Sequence, residues 1–302
     1  MKGILKFTSA IDKEVGVSAF LPYSGHVTRN IVKMMNGDMM FTIRLSGAAH
    51  QSADISDLNG WHSQLNGFIR NISSPHVALW SHIVRREINE YPEGEFASEF
   101  INNLNKKYRS RIEETTLMIN ELYISIVFRP QPIAAGRIVD MFSRQSKAQL
   151  EELQLEHIEN MEDLISTSMA ALDRYEPELL GCYEFKGNLF SETGEFLHYI
   201  LNGEWRRFPL PRAEMRDVLP TSRPFFGKGG LMSLRTSTED YFCATLAFQE
   251  YPAHTHPGLL NELLSVPYEF TLGQSFTFLS KPVARGRMTR QQKRLVNAGD
   301  VA

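Results

Sequence analysis

The run ALWSHIVRREINEYPEGEF, residues 78–96, gathers Trp80, His82, Arg85 and Arg86 within seven positions. Read at a period of two, Ala78, Trp80, His82 and Val84 fall on one face and Leu79, Ser81, Ile83 and Arg85 on the other, which describes a strand. His76 and His82 would share a face. At about 3.3 Å per residue they lie roughly 20 Å apart, beyond the reach of one metal ion. Trp80, Ile83 and Val84 are therefore expected in a sheet core, with Arg85 and Arg86 at the strand exit, where they can meet acidic partners.

Other candidates fare no better as reaction centres. PAHTHPG places His254 and His256 two apart, which can begin a zinc site, but a third ligand is lacking unless Cys243 supplies it. FFGKGG, residues 225–230, has Gly229 where a phosphate-binding loop needs Ser or Thr on magnesium, so it reads as a turn. G-x-S-x-G and H-E-x-x-H are absent from the sequence. Glu151, Glu152, Glu156, Glu159, Glu162 and Asp163 line a helix without the Glu-x-x-His pairs of a carboxylate metal centre, and read as a solvated or partner-facing surface. No catalytic, cofactor-binding or metal-ligating set emerges.

These residues must be positioned by recognisable elements. VTRNIVKMMNGDMMFTIRLSG, residues 27–47, reads as a hairpin closed at Asn36-Gly37 by a type I′ turn. Asp54 is an N-cap candidate for a helix with Leu58, Trp61, Leu65, Phe68 and Ile72 at three- and four-residue spacing. A helix is expected around 96–110, then a strand over 120–130 stopped by Pro130, and a long helix over 144–175. A strand over 178–185, a helix around 191–202, and a Pro/Gly-rich loop or seam over 209–230 follow. Then come strand 241–252, a short helix after Pro257, strand 267–280 and a helix over 289–298. The alternation predicts an α/β (α+β) fold, mixed sheets with helices packed on them, with sub-lobes 1–208 and 231–302 joined by 209–230.

With 302 residues and 42% hydrophobic content, the chain can bury a sizeable core. Charged residues interrupt its opening apolar runs, and no apolar stretch reaches about 20 residues, so neither a signal peptide nor a membrane span is expected. Cys182 and Cys243 lie in strand-like runs and read as buried thiols of a reducing compartment. Net charge is −3, unevenly spread: KPVARGRMTRQQKR, residues 281–294, holds six basic residues and no acidic one, leaving 26 basic against 35 acidic elsewhere. That tract, with KKYRSR at 106–111, could neutralise phosphates of a single-stranded nucleic acid, or form a docking surface or solvated helix.

The segments HQSADISDLNGWHSQLNGFIRNISSPHVALWSHIVRREINEYPEGEF, NELYISIVFRP, LLGCYEFKGNLFSETGEFLHYILNGE, SRPFFGKGG and QEYPAHTHPGLLNELLSVPYEFTLGQSFTFLSK, in this order, resemble the amino-terminal domain of the CagE/TrbE/VirB family. These are the large ATPases of bacterial type IV secretion and conjugation machines, the fourth component in the VirB numbering. The resemblance implies that residues 1–302 are an amino-terminal domain, with no cofactor of its own, and that the P-loop domain using ATP and magnesium lies beyond residue 302. It also implies a cytoplasmic protein peripheral to the inner membrane, forming homo-oligomers and meeting small inner-membrane subunits and other secretion ATPases. Phe20, Leu21 and Tyr23 form an apolar stretch before the hairpin and, with Arg85 and Arg86, are the expected partner contacts. A strand edge beside them is a natural docking site.

Overall fold

A computed structural model describes residues 15–48, 53–88, 91, 94, 96, 98–113, 117–130, 147–237, 239–248, 254 and 258–297. Its centre is an antiparallel sheet built from β1 (Tyr23–His26), β2 (Val32–Met34), β3 (Met39–Leu45), β4 (Val77–Ile88), β5 (Leu117–Phe128), β6 (Pro177–Leu179) and β12 (Phe270–Thr277). The strands run in the order β1-β2-β3-β5-β4-β12, with β6 also paired to β3. β4 and β5 pair along their whole lengths, from Val77 opposite Phe128 to Ile88 opposite Leu117. Period-two alternation fixes that register, because a slip of one residue would turn every core side chain to the wrong face.

Each face carries its own core. On one, Phe41, Ile43, Leu79, Ile124 and Ile126 pack against Phe68 and Ile72 at the end of α1 (Ile55–Asn71) and Met161 of α3 (Lys147–Ala171). On the other, Met40, Ala78, Val84, Tyr123 and Val127 pack against Phe196, Leu197 and Tyr199 of α4 (Glu192–Asn202) and Met215 of the short α5 (Met215–Val218). Helices thus cover both faces of the sheet, as the alternating pattern predicts. Inside the sheet, Thr42 and Ser125 share a buried hydroxyl hydrogen bond of 2.9 Å, which satisfies two polar groups that burial would otherwise penalise.

The turn geometry expected at Asn36-Gly37 is found at a different place. At Asn36-Gly37 only Gly37 has positive φ, +85°, and Gly37 N–H donates to Met34 O, so the three-residue loop is a type I turn closed by a glycine bulge. The expected I′ geometry instead occurs at Lys186-Gly187, φ +51° and +76°, between β7 (Cys182–Phe185) and β8 (Asn188–Ser191). A lysine tolerates that conformation less readily than asparagine, so local sequence did not advertise it.

Other boundaries shift too. The expected 178–185 strand breaks at Leu180-Gly181 into β6, on the main sheet, and β7, in a separate hairpin. Asn30 Nδ2 donates to Leu180 O and Cys182 N–H to Arg29 O, holding the break. The stretch 209–230 contains α5 and β9 (Arg223–Phe226) as well as turns. β9 pairs with β10 (Leu231–Arg235), which pairs with β11 (Asp240–Ala244), and the 225–230 glycines form the β9–β10 turn. β12, from the last third of the chain, returns to the main sheet as an edge strand on β4. The short helix after Pro257 is a 3₁₀ turn at Asn261–Ser265, and the last helix, α6 (Lys281–Asn297), begins earlier than periodicity indicated.

Candidate functional site

The apolar stretch 20–23 divides by exposure. Val17–Phe20 form a 3₁₀ turn leading into β1, one of the two outer strands in the order given above. Leu21 and Tyr23 pack on the core shared with α4, whereas Phe20 is 76% exposed. Burial raises the Tyr23 phenol pKa above its usual value. Two anchored neighbours therefore present one exposed aromatic ring beside a sheet edge.

Arg85 and Arg86 are adjacent in sequence but point to opposite faces of β4, as strand geometry requires. Arg85 is buried, and its guanidinium donates to Val266 O at 2.7 Å and Asn120 Oδ1 at 3.0 Å, tying β4 to the segment before β12. Arg86 donates through Nε and Nη2 to the two Glu121 carboxylate oxygens, at 2.8 and 3.3 Å, and lies 5.1 Å from the Trp205 ring centroid. Both arginines already have partners within the chain, and the structure does not bring them beside Phe20 as one patch. Trp80, expected in the core, is 41% exposed and stacks on His82. His82 in turn meets Phe196 edge-on at 5.5 Å, with its Nδ1 buried and unbonded. Ala78 and Val84, on the same face of β4, are buried on either side of Trp80 and His82, so the pattern identified the face but not the local gap in its cover at Trp80.

Arg86 belongs to a polar cluster that sequence reasoning missed. A recess of about 120 Å³ is lined by Arg44, Arg86, Glu121, Tyr123, Leu180, Glu192, Glu195 and Trp205. Arg44 pairs with Glu178, and the Tyr183 hydroxyl donates to Glu195 Oε1. Glu192 Oε2 accepts from Gly181 N–H at 2.9 Å. Burial, reinforced by the Glu121 charge, pushes the Tyr123 phenol far up. Burial first, then the bond to Glu195, raises Tyr183 to about 12. The contributors come from β3, β4, β5 and α4, so no local motif could have revealed the grouping.

A second, mainly apolar groove of about 360 Å³ lies between α4, β10, β11 and the start of β12, with Val17, Tyr199, Leu234, Tyr241 and Phe270 among its walls. His198 is buried, with ring nitrogens bonded to Glu204 O and Thr221 Oγ1. His26 Nε2 meets Ser191 Oγ at 2.7 Å, and Ser191 Oγ accepts from Gly194 N–H as the N-cap of α4. These histidines brace turns. Among the described residues, no group of three or more His, Cys, Asp or Glu side chains could hold a metal ion. His256 lies outside the described residues. Cys182 and Cys243 are free thiols, Cys182 buried and its pKa raised chiefly by that burial. Both basic tracts sit on helices: 106–111 on α2 (Glu99–Glu113), 281–294 on α6. No described helix is long and apolar enough to cross a membrane.

The described residues therefore form an α/β domain in which an antiparallel sheet, covered by helices, carries an exposed aromatic at its edge and an arginine–glutamate–aromatic cluster on one face. Residues 30–135 match the N-terminal domain of the type IV secretion system ATPase VirB4/TrbE. Residues 178–302 match the CagE, TrbE, VirB family, component of the type IV transporter system. The chain is 35% identical over 296 residues to the type IV secretion system protein virB4 of Bartonella quintana, covering 97% of this chain and 38% of that protein. It is 31% identical over 302 residues to virB4 of Brucella suis, covering 98% of this chain and 36% of that protein. Protein virB4 of Rhizobium radiobacter is 32% identical over 284 residues, covering 94% and 36%. The chain belongs to the CagE/TrbE/VirB family and corresponds to the N-terminal region of its VirB4/TrbE secretion ATPases. It spans less than two-fifths of the length of these relatives.

Proposed function

We propose that this chain is the assembly and docking region of a type IV secretion ATPase that energises conjugative DNA transfer or protein secretion and pilus biogenesis. In this reading it works peripherally at the cytoplasmic side of the bacterial inner membrane. It meets small inner-membrane subunits, further copies of itself and other secretion ATPases. ATP and magnesium belong to the part of the longer relatives that this chain does not cover. The observation that carries the reading is Phe20: a ring 76% exposed, held by Leu21 and Tyr23 packed on the core, at the β1 edge of the main sheet. An aromatic anchor beside an edge strand has the character of a protein interface. Co-expression of the chain with the small inner-membrane subunits of its secretion system tests this. Retention of a subunit through purification supports the reading, and its consistent loss overturns it.

A second reading is binding of single-stranded nucleic acid through 106–111 and 281–294. It is favoured by α6, on which all six basic residues are exposed. Affinity for labelled single-stranded DNA that falls steeply with salt would support it; no binding at low salt would dismiss it.

A further inference from the structure

The recess around Tyr123 has an imbalance that its role in the core does not explain. Two of its charges are matched: Arg86 by Glu121 within the recess, and Arg44 by Glu178 beside it. Glu192 and Glu195 remain without a basic partner on the recess walls. Both lie in the first turn of α4, where the positive end of the helix dipole favours carboxylates. Each also spends one oxygen locally, Glu192 on Gly181 N–H and Glu195 on the Tyr183 hydroxyl. Among the described residues no bond is formed to the second oxygen of either. Tyr123 is 1% exposed, and among the described residues its hydroxyl makes no well-aligned hydrogen bond, although the Arg44 side chain is close enough for a weak one and, with the Arg86 charge, offsets part of the upward push on its pKa.

A buried phenol without a well-aligned hydrogen bond, beside two surplus carboxylates, is costly to the free protein and suited to a ligand that donates hydrogen bonds and carries positive charge. Trp205 completes the setting. Its ring lies 6.4 Å from Tyr123 and 5.5 Å from Tyr199, and it already faces one guanidinium, so the aromatic wall accommodates cations. An anion is disfavoured, because both arginines are neutralised by glutamates. We propose that this recess binds a single alkylammonium or guanidinium group, donating to Glu192, Glu195 and Tyr123 Oη with Trp205 alongside. The group is either a lysine or arginine side chain of a docked polypeptide, or a free amine. The inference concerns this recess alone and stands apart from the docking role assigned to Phe20.

Nuclear magnetic resonance titration of the full chain with butylguanidinium and butylammonium, and with N-acetyl-citrullinamide as the uncharged comparison, tests it. The cations should saturably shift the Trp205 indole and the amides of residues 192–196, and the uncharged compound should not. Glu195→Gln and Tyr123→Phe should each weaken binding by about tenfold, the scale of one lost hydrogen bond to a charged group. Tyr123→Phe is nearly isosteric and keeps the test valid should Glu195→Gln disturb Tyr183. A lysine- or arginine-bearing peptide that binds more tightly than the free cations identifies a docked side chain as the source, and equal affinity identifies a small amine. Absence of saturable shifts, equal binding of the citrulline compound, or unchanged affinity in Tyr123→Phe would overturn the proposal.

Discussion

The guanidinium of Arg86 grips both oxygens of Glu121 on the neighbouring strand while lying 5.1 Å from the centre of the Trp205 ring. Charge, fork geometry and aromatic contact thus join β4, β5 and the segment after α4 at one point. The pair is largely shielded, with side-chain exposures of 19% and 15%. Removing one partner would leave the other partly buried and uncompensated. Glu121→Gln is expected to lower stability by about 1–3 kcal/mol, and Arg86→Lys, which keeps the charge but loses the fork, by less. Chemical denaturation of the two variants checks the order.

Close packing of α4 makes a second prediction. A Cβ built at Gly194 would stand 2.3 Å from Phe208 Cδ1, and Phe208 is buried in the same core. Gly194→Ala should therefore destabilise the chain by about 1–3 kcal/mol despite the higher helix propensity of alanine. A melting temperature equal to that of the unaltered chain would show that Phe208 can move aside.

Acid should weaken the fold through three histidines that packing shields from water, His198 fully and His26 and His82 in part. Burial lowers the pKa of His26, His82 and His198 below the ordinary 6.5. At pH values below about 6.5 the unfolded chain takes up protons that the folded chain resists, so stability is fully present above that value and declines as pH falls through it. His82, with Nδ1 unbonded against Phe196, can be replaced with the least loss of hydrogen bonding. Denaturation of His82→Leu between pH 7.5 and about 5 should show a shallower decline than the unaltered chain.

Much of this architecture was legible in sequence because period and burial coincide. The alternation of Leu122, Ile124, Ile126 and Phe128 defines a strand, and these residues all pack on the α1/α3 side of the sheet. What stayed hidden was set by contacts distant in the chain. Arg85 and Arg86 read as surface residues at a strand end, but their acceptors, Val266, Asn120 and Glu121, are remote in sequence or on a neighbouring strand. Tyr123, inside the expected 120–130 strand, carried no local signal of the recess because Glu192, Glu195 and Trp205 reach it only after α4 packs across the sheet. Turn type escaped for the same reason: the β7–β8 pairing imposes positive φ on Lys186, a residue that does not seek it.

The docking account is tested most directly by separating capture from folding at residues 20–23. Leu21→Ala and Tyr23→Ala remove core contacts and should destabilise the chain, whereas Phe20→Ala should change stability by no more than about 0.5 kcal/mol. The decisive measurement is the amount of inner-membrane subunit retained by Phe20→Ala relative to the unaltered chain, with melting temperatures recorded on the same preparations. The account predicts at least about a tenfold loss of retained subunit at unchanged melting temperature, as expected for an aromatic anchor. Full retention by a folded Phe20→Ala chain would contradict it.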